Sequence, residues 1–174
     1  MSKRDEIVSA AVDVFGRHGF RQTTMDLVAQ AAGVSRPALY QYFRNKQDVF
    51  AAVAEQVTDQ LVRSARRARD AEGTLADRVY GVLAVRLDAA AGLAEARYRE
   101  ELVAQAQAMG LSPADDQLVY LLAQLLADTP EPLETASTLL AAAAGIGRSE
   151  GGPDTLRRRL RRLVDLVVAG LRAG

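Results

Sequence analysis

Apolar residues recur at intervals of three and four along nearly the whole chain, and the Gly and Pro residues gather at separated points between those runs. A strand buries every second residue, so this spacing excludes a β fold and predicts a chain built entirely of α-helices. Ala and Leu, both strong helix formers, supply close to a third of the residues. A length of 174 residues suits one compact domain or two small ones.

The helix boundaries follow from caps and breakers. Ile7, Val8, Ala11, Val12 and Phe15 make one stripe that stops at Gly19, which predicts a first helix over 3–18 with Gly19 as a left-handed cap. Thr24 is the expected N-cap of a short second helix ending at Gly33, and Ser35 that of a third ending near Phe43. Asn45 with Asp48 opens a fourth helix with no breaker until Gly73, about 40 Å long at the usual rise per residue. Thr74 with Asp77 caps a fifth, to about Gly92, and a sixth runs from about 94 to Met109. Ser112-Pro113 opens a seventh, to about Asp128, because proline suits a first helical turn. The segments TPEP (129–132) and RSEGGP (148–153) then precede an eighth helix over 133–148 and a ninth over 154–172.

Composition removes most enzyme chemistry. Cysteine is absent and His18 is the only histidine, which excludes disulfides, zinc fingers, thiol catalysis and sites built on several imidazoles. With no paired-carboxylate or nucleophile motif, no catalytic residue, metal or cofactor is expected. His18 reads as a helix C-terminal residue that interacts with the last carbonyls. No apolar run approaches the roughly 18 residues of a membrane span, and the first residues lack the apolar core of a signal peptide. A cytoplasmic chain with no membrane partner is expected.

Residues 24–43, TMDLVAQAAGVSRPALYQYF, have the spacing of a helix-turn-helix. Ala29 is small enough for two helices to cross closely, Gly33 supplies the turn with positive φ, Val34 fills the corner, and Leu39 and Phe43 face inward. At 100° per residue, Pro37, Ala38, Gln41 and Arg44 then point away, Tyr40 and Tyr42 lie on opposite flanks, and Arg36 sits in the first turn. These side chains suit a major groove: Arg can bind guanine bidentately, Gln can bind adenine, and Ala or Pro can touch a thymine methyl. Thr24 and Lys46 stand at helix N-termini, where phosphates are bound.

Residues 7–50 resemble the DNA-binding domain of the TetR family of bacterial transcriptional regulators. The resemblance rests on Phe15, Gly19, Thr24, Ala29, Ala32-Gly33-Val34-Ser35, Leu39-Tyr40, Phe43 and Lys46. Two positions depart from the pattern: Pro37 stands where glycine is common, and Tyr42 replaces a frequent histidine. The resemblance implies a nine-helix, all-α architecture, with a DNA-binding domain over 1–47 and an effector-binding and dimerisation domain over 48–174. It implies phosphate contacts from Thr24, Tyr40, Tyr42 and Lys46, and groove contacts from Arg36, Ala38 and Gln41, with Ser35 and Pro37 at the same surface.

Three further expectations concern the remaining helices. The last two helices, as the usual dimerisation pair of such regulators, would offer Leu139, Leu140 and Ala143, then Leu156, Leu160, Leu163, Val167 and Leu171, to a copy of the chain in a four-helix bundle. Helices five to seven would enclose a small-molecule effector. Its walls would come from Leu83, Leu87, Leu102, Leu118, Leu122 and Leu125, and its polar contacts from Tyr80, Arg86, Tyr98, Gln105, Tyr120 and Gln124. The arginine run 157–162 reads as a solvated, partly salt-bridged face.

The resulting expectation is a homodimeric repressor, released from a double-stranded DNA operator by a mainly apolar effector. The alternative is a helical interaction protein of the same fold that acts through a protein partner. Net charge is zero, 22 basic against 22 acidic residues. Within residues 1–48 seven bases face five acids, while Glu95, Glu100, Glu101, Asp115 and Asp116 are expected in the effector part.

Overall fold

The computed structural model describes residues 2–94, 98–111 and 114–173. Among them the chain forms nine helices and no strand: α1 (Lys3–Gln22), α2 (Met25–Ala31), α3 (Arg36–Tyr40), α4 (Lys46–Arg69), α5 (Leu75–Ala94), α6 (Arg99–Ala108), α7 (Asp115–Leu125), α8 (Pro132–Arg148) and α9 (Pro153–Ala173). The predicted Ser112-Pro113 start of the seventh helix, and Glu95, lie outside the described residues. No helix of the described residues is long and apolar enough to cross a membrane.

The chain divides into two compact units, Met1–Thr58 with Leu93–Ser112, and Asp59–Gly92 with Pro113–Gly174. The first unit is built on α1. Ser2 and Asp5 form a capping box that starts the helix, satisfying two backbone donors that would otherwise be unpaired. The buried stripe Ile7, Val8, Ala11, Val14 and Phe15 then meets Val28, Leu39, Phe43, Val49, Phe50 and Val53. Phe15, Phe20 and Phe50 form the centre. Phe15 and Phe20 are stacked at 6.1 Å, and both meet Phe50 edge-on at 5.1 and 5.2 Å, the arrangement that aromatic quadrupoles favour.

One expectation is corrected here. The first helix does not stop at Gly19 but kinks there and continues to Gln22. Gly19 has the predicted positive φ, 70°, but its ψ of 177° takes it out of the left-handed helical region, into a part of φ/ψ space that is essentially glycine's alone. The extra turn, residues 20–22, is held from several sides. Glu101 on α6 accepts from the Arg21 N–H at 2.7 Å. Lys46 Nζ donates to the carbonyls of Phe20 and Arg21 at 2.7 and 3.2 Å, and the buried Thr23 hydroxyl donates to the Gly19 carbonyl at 2.6 Å.

The second unit packs α5, α7, α8 and α9 with the later part of α4. Val79, Val82, Leu83 and Leu87 bury against Leu118, Leu122, Leu139, Leu140, Ala143, Leu160 and Val164. As expected, the arginine run on α9 is solvated and partly paired: Arg157 binds Asp88 at 2.9 Å, and Arg161 binds Asp77 at 2.7 Å and Asp165 at 3.0 Å.

Asp77 also accepts from the N–H and hydroxyl of Thr74 at the start of α5. The Thr74 hydroxyl and then Arg161 hold the Asp77 carboxyl at about 2, below its ordinary 3.8. A carboxylate whose pKa is lower in the folded state stabilises that state above its ordinary pKa and loses this contribution as pH falls through the folded value. The second unit is therefore expected to weaken between about pH 4 and pH 2, measured as the denaturation midpoint against pH. Asp77→Asn should flatten that part of the curve.

Candidate nucleic-acid interface

The helix-turn-helix consists of α2, the turn 32–35, and α3. Thr24 caps α2 by accepting from the Leu27 N–H at 3.2 Å, and Ser35 caps α3 by accepting from the Ala38 N–H at 3.3 Å. Between them Gly33, with φ 62°, lets its N–H reach the Gln30 carbonyl and the Val34 N–H reach the Ala29 carbonyl. This pair of bonds closes a helix on a left-handed residue. Ala29, Leu39 and Phe43 are all buried, so the inward face is the predicted one. α3 itself is five residues long and ends at Tyr40, short of Phe43. Gln41 and Tyr42 follow on a turn tied back to Ala38 and Leu39 by backbone bonds.

With Leu39 and Phe43 buried, Thr24, Ser35, Arg36, Pro37, Tyr40, Gln41 and Tyr42 are all exposed, and Ala38 is half-buried. Tyr40 and Tyr42 each keep 43% of their surface. Arg36 is not a free cation: its Nη1 lies 3.3 Å from Asp26 on α2, and its guanidinium stands 5.7 Å from the Tyr40 ring centroid. Lys46 is half-buried, with two carbonyls as acceptors and the Phe20 ring 4.5 Å away. An ammonium has three donors, so one remains for an anion. The caps likewise leave the hydroxyl protons of Thr24 and Ser35 free to donate.

Sequence reasoning missed three residues of this unit. Asp26 was visible only as an acid. Arg4, at the start of α1, stacks on Phe43 at 5.3 Å, a contact between segments that no local pattern relates. Glu101 was expected in the effector part, yet it lies in the unit that holds the helix-turn-helix. That unit's sequence carries Lys3, Arg4, Arg17, Arg21, Arg36, Arg44, Lys46, Arg97 and Arg99 against Asp5, Glu6, Asp13, Asp26, Asp48, Glu55, Glu95, Glu100 and Glu101. The excess of positive charge in residues 1–48 is thus cancelled within the unit. His18 is half-buried in a cleft of about 450 Å³ between α1 and α2, beside Asp13, Arg17 and Gln30.

The expected effector residues are divided between the two units. Leu83, Leu87, Leu118 and Leu122 are core of the second unit, with Tyr80 and Leu125 packed against them. Arg86 is paired with Asp115 at 2.8 Å. Tyr120 and Gln124 line an open cleft of about 380 Å³ between α4 and α7, together with Val62, Arg66, Arg69, Gln117 and Leu121. Tyr98, Leu102 and Gln105 belong to the first unit. Leu102 packs on its core, and Gln105 lines a cleft with Arg21 and Glu101.

The expected dimer residues divide too. Leu139, Leu140, Ala143 and Leu160 are buried inside the second unit, and Leu156, Leu163, Val167 and Leu171 pack against the same core. The reason is general: a 3–4 stripe shows that a face is covered, not by what. The exposed residues of α8 and α9 include the small or polar Ser137, Thr138, Ala141 and Gly145 on one helix and Ala169 and Gly170 on the other, with Leu133 on α8 left 52% and Leu166 on α9 57% exposed.

Residues 7–53 match the family described as bacterial regulatory proteins, tetR family. The chain is similar to the HTH-type transcriptional activator FasR of Mycolicibacterium smegmatis, 39% identical over 66 residues, and to the HTH-type transcriptional regulator RutR of Escherichia coli, 40% identical over 58. Those stretches cover 38% and 33% of this chain, and only 30% and 27% of the two relatives. In fold it is similar to a transcriptional regulator from Cytophaga hutchinsonii, with a TM-score of 0.76 over 96% of this chain and 97% of that one at 16% identity.

Proposed function

We propose, from the match of residues 7–53 to the tetR family of bacterial regulatory proteins, that this chain is a homodimeric, sequence-specific DNA-binding repressor, released from a palindromic operator by a small, mainly apolar effector. The observation that carries the reading is the outer surface of α3 and the turn after it. Arg36, Tyr40, Gln41 and Tyr42 are all exposed, while Leu39 and Phe43 are buried in the core. Arg36 and Gln41 read base edges, and Ala38 and Pro37 offer methyl and ring contacts. Thr24, Ser35, Tyr40, Tyr42 and the third donor of Lys46 bind phosphates.

The first 47 residues do the reading, and the rest of the chain carries the effector and dimer functions. Helix α4 supplies residues to both compact units, so an effector that favours one setting of α4 acts on DNA affinity by its differential binding to the two settings. For dimerisation the exposed small residues of α8 and α9 are the available face, since two helices approach closely only where side chains are small. Such an interface is isologous and demands an operator with two-fold symmetry.

A second reading, a helical interaction protein that acts through a protein partner, draws on the zero net charge of the first unit. The two readings separate on one variant. Arg36→Ala with Gln41→Ala is expected to lower operator affinity at least about thirtyfold, two base contacts at about 1–3 kcal/mol each, while leaving the melting temperature unchanged. Unaltered operator affinity in a gel-shift titration would remove α3 from the reading surface.

A further inference from the structure

Asp26 sits in the first turn of α2 and Arg36 at the first residue of α3. Both carboxylate oxygens of Asp26 stand 3.3 Å from Arg36 Nη1, and the Tyr40 ring, one turn further along α3, lies 5.7 Å from the guanidinium carbon. It is the only ion pair that joins α2 to α3 among the described residues. Both partners keep more than half of their surface, and exposed pairs contribute little to stability. The consequence of the pair therefore lies in what Arg36 does next.

We propose that Asp26 is a specificity-determining residue of this surface: it holds Arg36 in place to meet a base edge and prevents it from acting as a general phosphate contact. An unrestrained arginine carries large rotamer freedom, and the dense charge of the DNA backbone attracts it at any sequence. With Nη1 engaged by a carboxylate, the pair is electrically neutral, so the pull toward phosphates is weak. Held by Asp26 and set beside the Tyr40 side chain, the guanidinium is fixed in direction, as bidentate recognition of guanine requires. The carboxylate also repels phosphate wherever the protein sits out of register. Asp26 thus lowers affinity for wrong sequences more than for the right one, which is how a repulsive group creates discrimination. A chain whose DNA-reading unit has no net charge fits this arrangement, since its selectivity then rests on a few directed contacts.

The inference rests on the DNA-reading role proposed above, and a mutant cycle on the intact protein separates the two. Wild type, Asp26→Ala, Arg36→Ala and the double variant are titrated against the selected operator, its single-base-pair variants and random DNA over a range of salt. Asp26→Ala is expected to bind random DNA several-fold more tightly at low salt, with a salt slope steeper by about one. It should lose about tenfold discrimination at the same base pair of each half-site that Arg36→Ala affects, and cause no further loss once Arg36 is gone. An unchanged base preference in Asp26→Ala, a different affected base pair, or an equal effect without Arg36 would overturn the assignment while leaving DNA reading intact. A wild type that prefers no sequence would overturn both.

Discussion

Phe15→Ala is expected to destabilise the helix-turn-helix unit by about 3–5 kcal/mol, the cost of removing a buried phenyl ring and leaving its cavity, and to abolish DNA binding with it. Phe15 is almost fully buried and touches both other rings of the Phe15–Phe20–Phe50 cluster. That cluster joins α1 to α4, and Leu39 and Phe43 belong to the same core. Losing its centre frees α3 from the support that fixes its outer face. Folded domains are commonly stable by only about 5–15 kcal/mol, so the change consumes a large part of the total. Phe15→Leu, which refills most of the volume, should retain operator binding. Denaturant titration of the two variants beside a gel shift checks both statements.

The second large effect is expected at Gly19. Alanine there would have to adopt φ 70° and ψ 177°, which costs about 1–3 kcal/mol for any residue with a Cβ. The Cβ would also lie 2.7 Å from Glu101 Oε2 and 2.8 Å from the Tyr98 ring. It displaces the carboxylate that accepts from the Arg21 N–H, a further loss of about 1 kcal/mol. Because these two losses involve one carboxylate, Gly19→Ala and Glu101→Ala should be less than additive. A fully additive pair in thermal denaturation would mean that Glu101 and Gly19 act independently. The turn at stake leads directly into Thr24, so operator affinity should fall along with stability.

Much of this was legible in the chain because it is local. Ser35 and Thr24 cap their helices, Gly33 turns the corner, and Leu39 and Phe43 face inward, since each depends on residues within a turn or two. What was not legible depends on distant pairings. Glu101 reaches the Arg21 N–H from 80 residues away, and nothing in a helical stripe announces that the sixth helix packs with the first. The stripe of α9 signals a covered face, and the second unit's own core buries Leu160, Val164 and Val168 but leaves Leu156, Leu163, Val167 and Leu171 only half-buried, because spacing records burial and not the identity of the neighbour. Gly19 was recognised as needing positive φ, whereas its ψ follows from Thr23, Lys46 and Glu101 closing on the turn together. Lys46 read as a helix N-terminal cation, but no local pattern could show that the carbonyls of α1 take two of its three donors.

Selection of bound sequences from random DNA by the intact protein tests the DNA-reading role most directly. The expected product is an inverted repeat, its half-sites about one helical turn apart or a near multiple, each with a G·C pair whose enrichment disappears in Arg36→Ala. A selected pool with no common sequence at physiological salt, from protein that is folded by thermal denaturation, would contradict it.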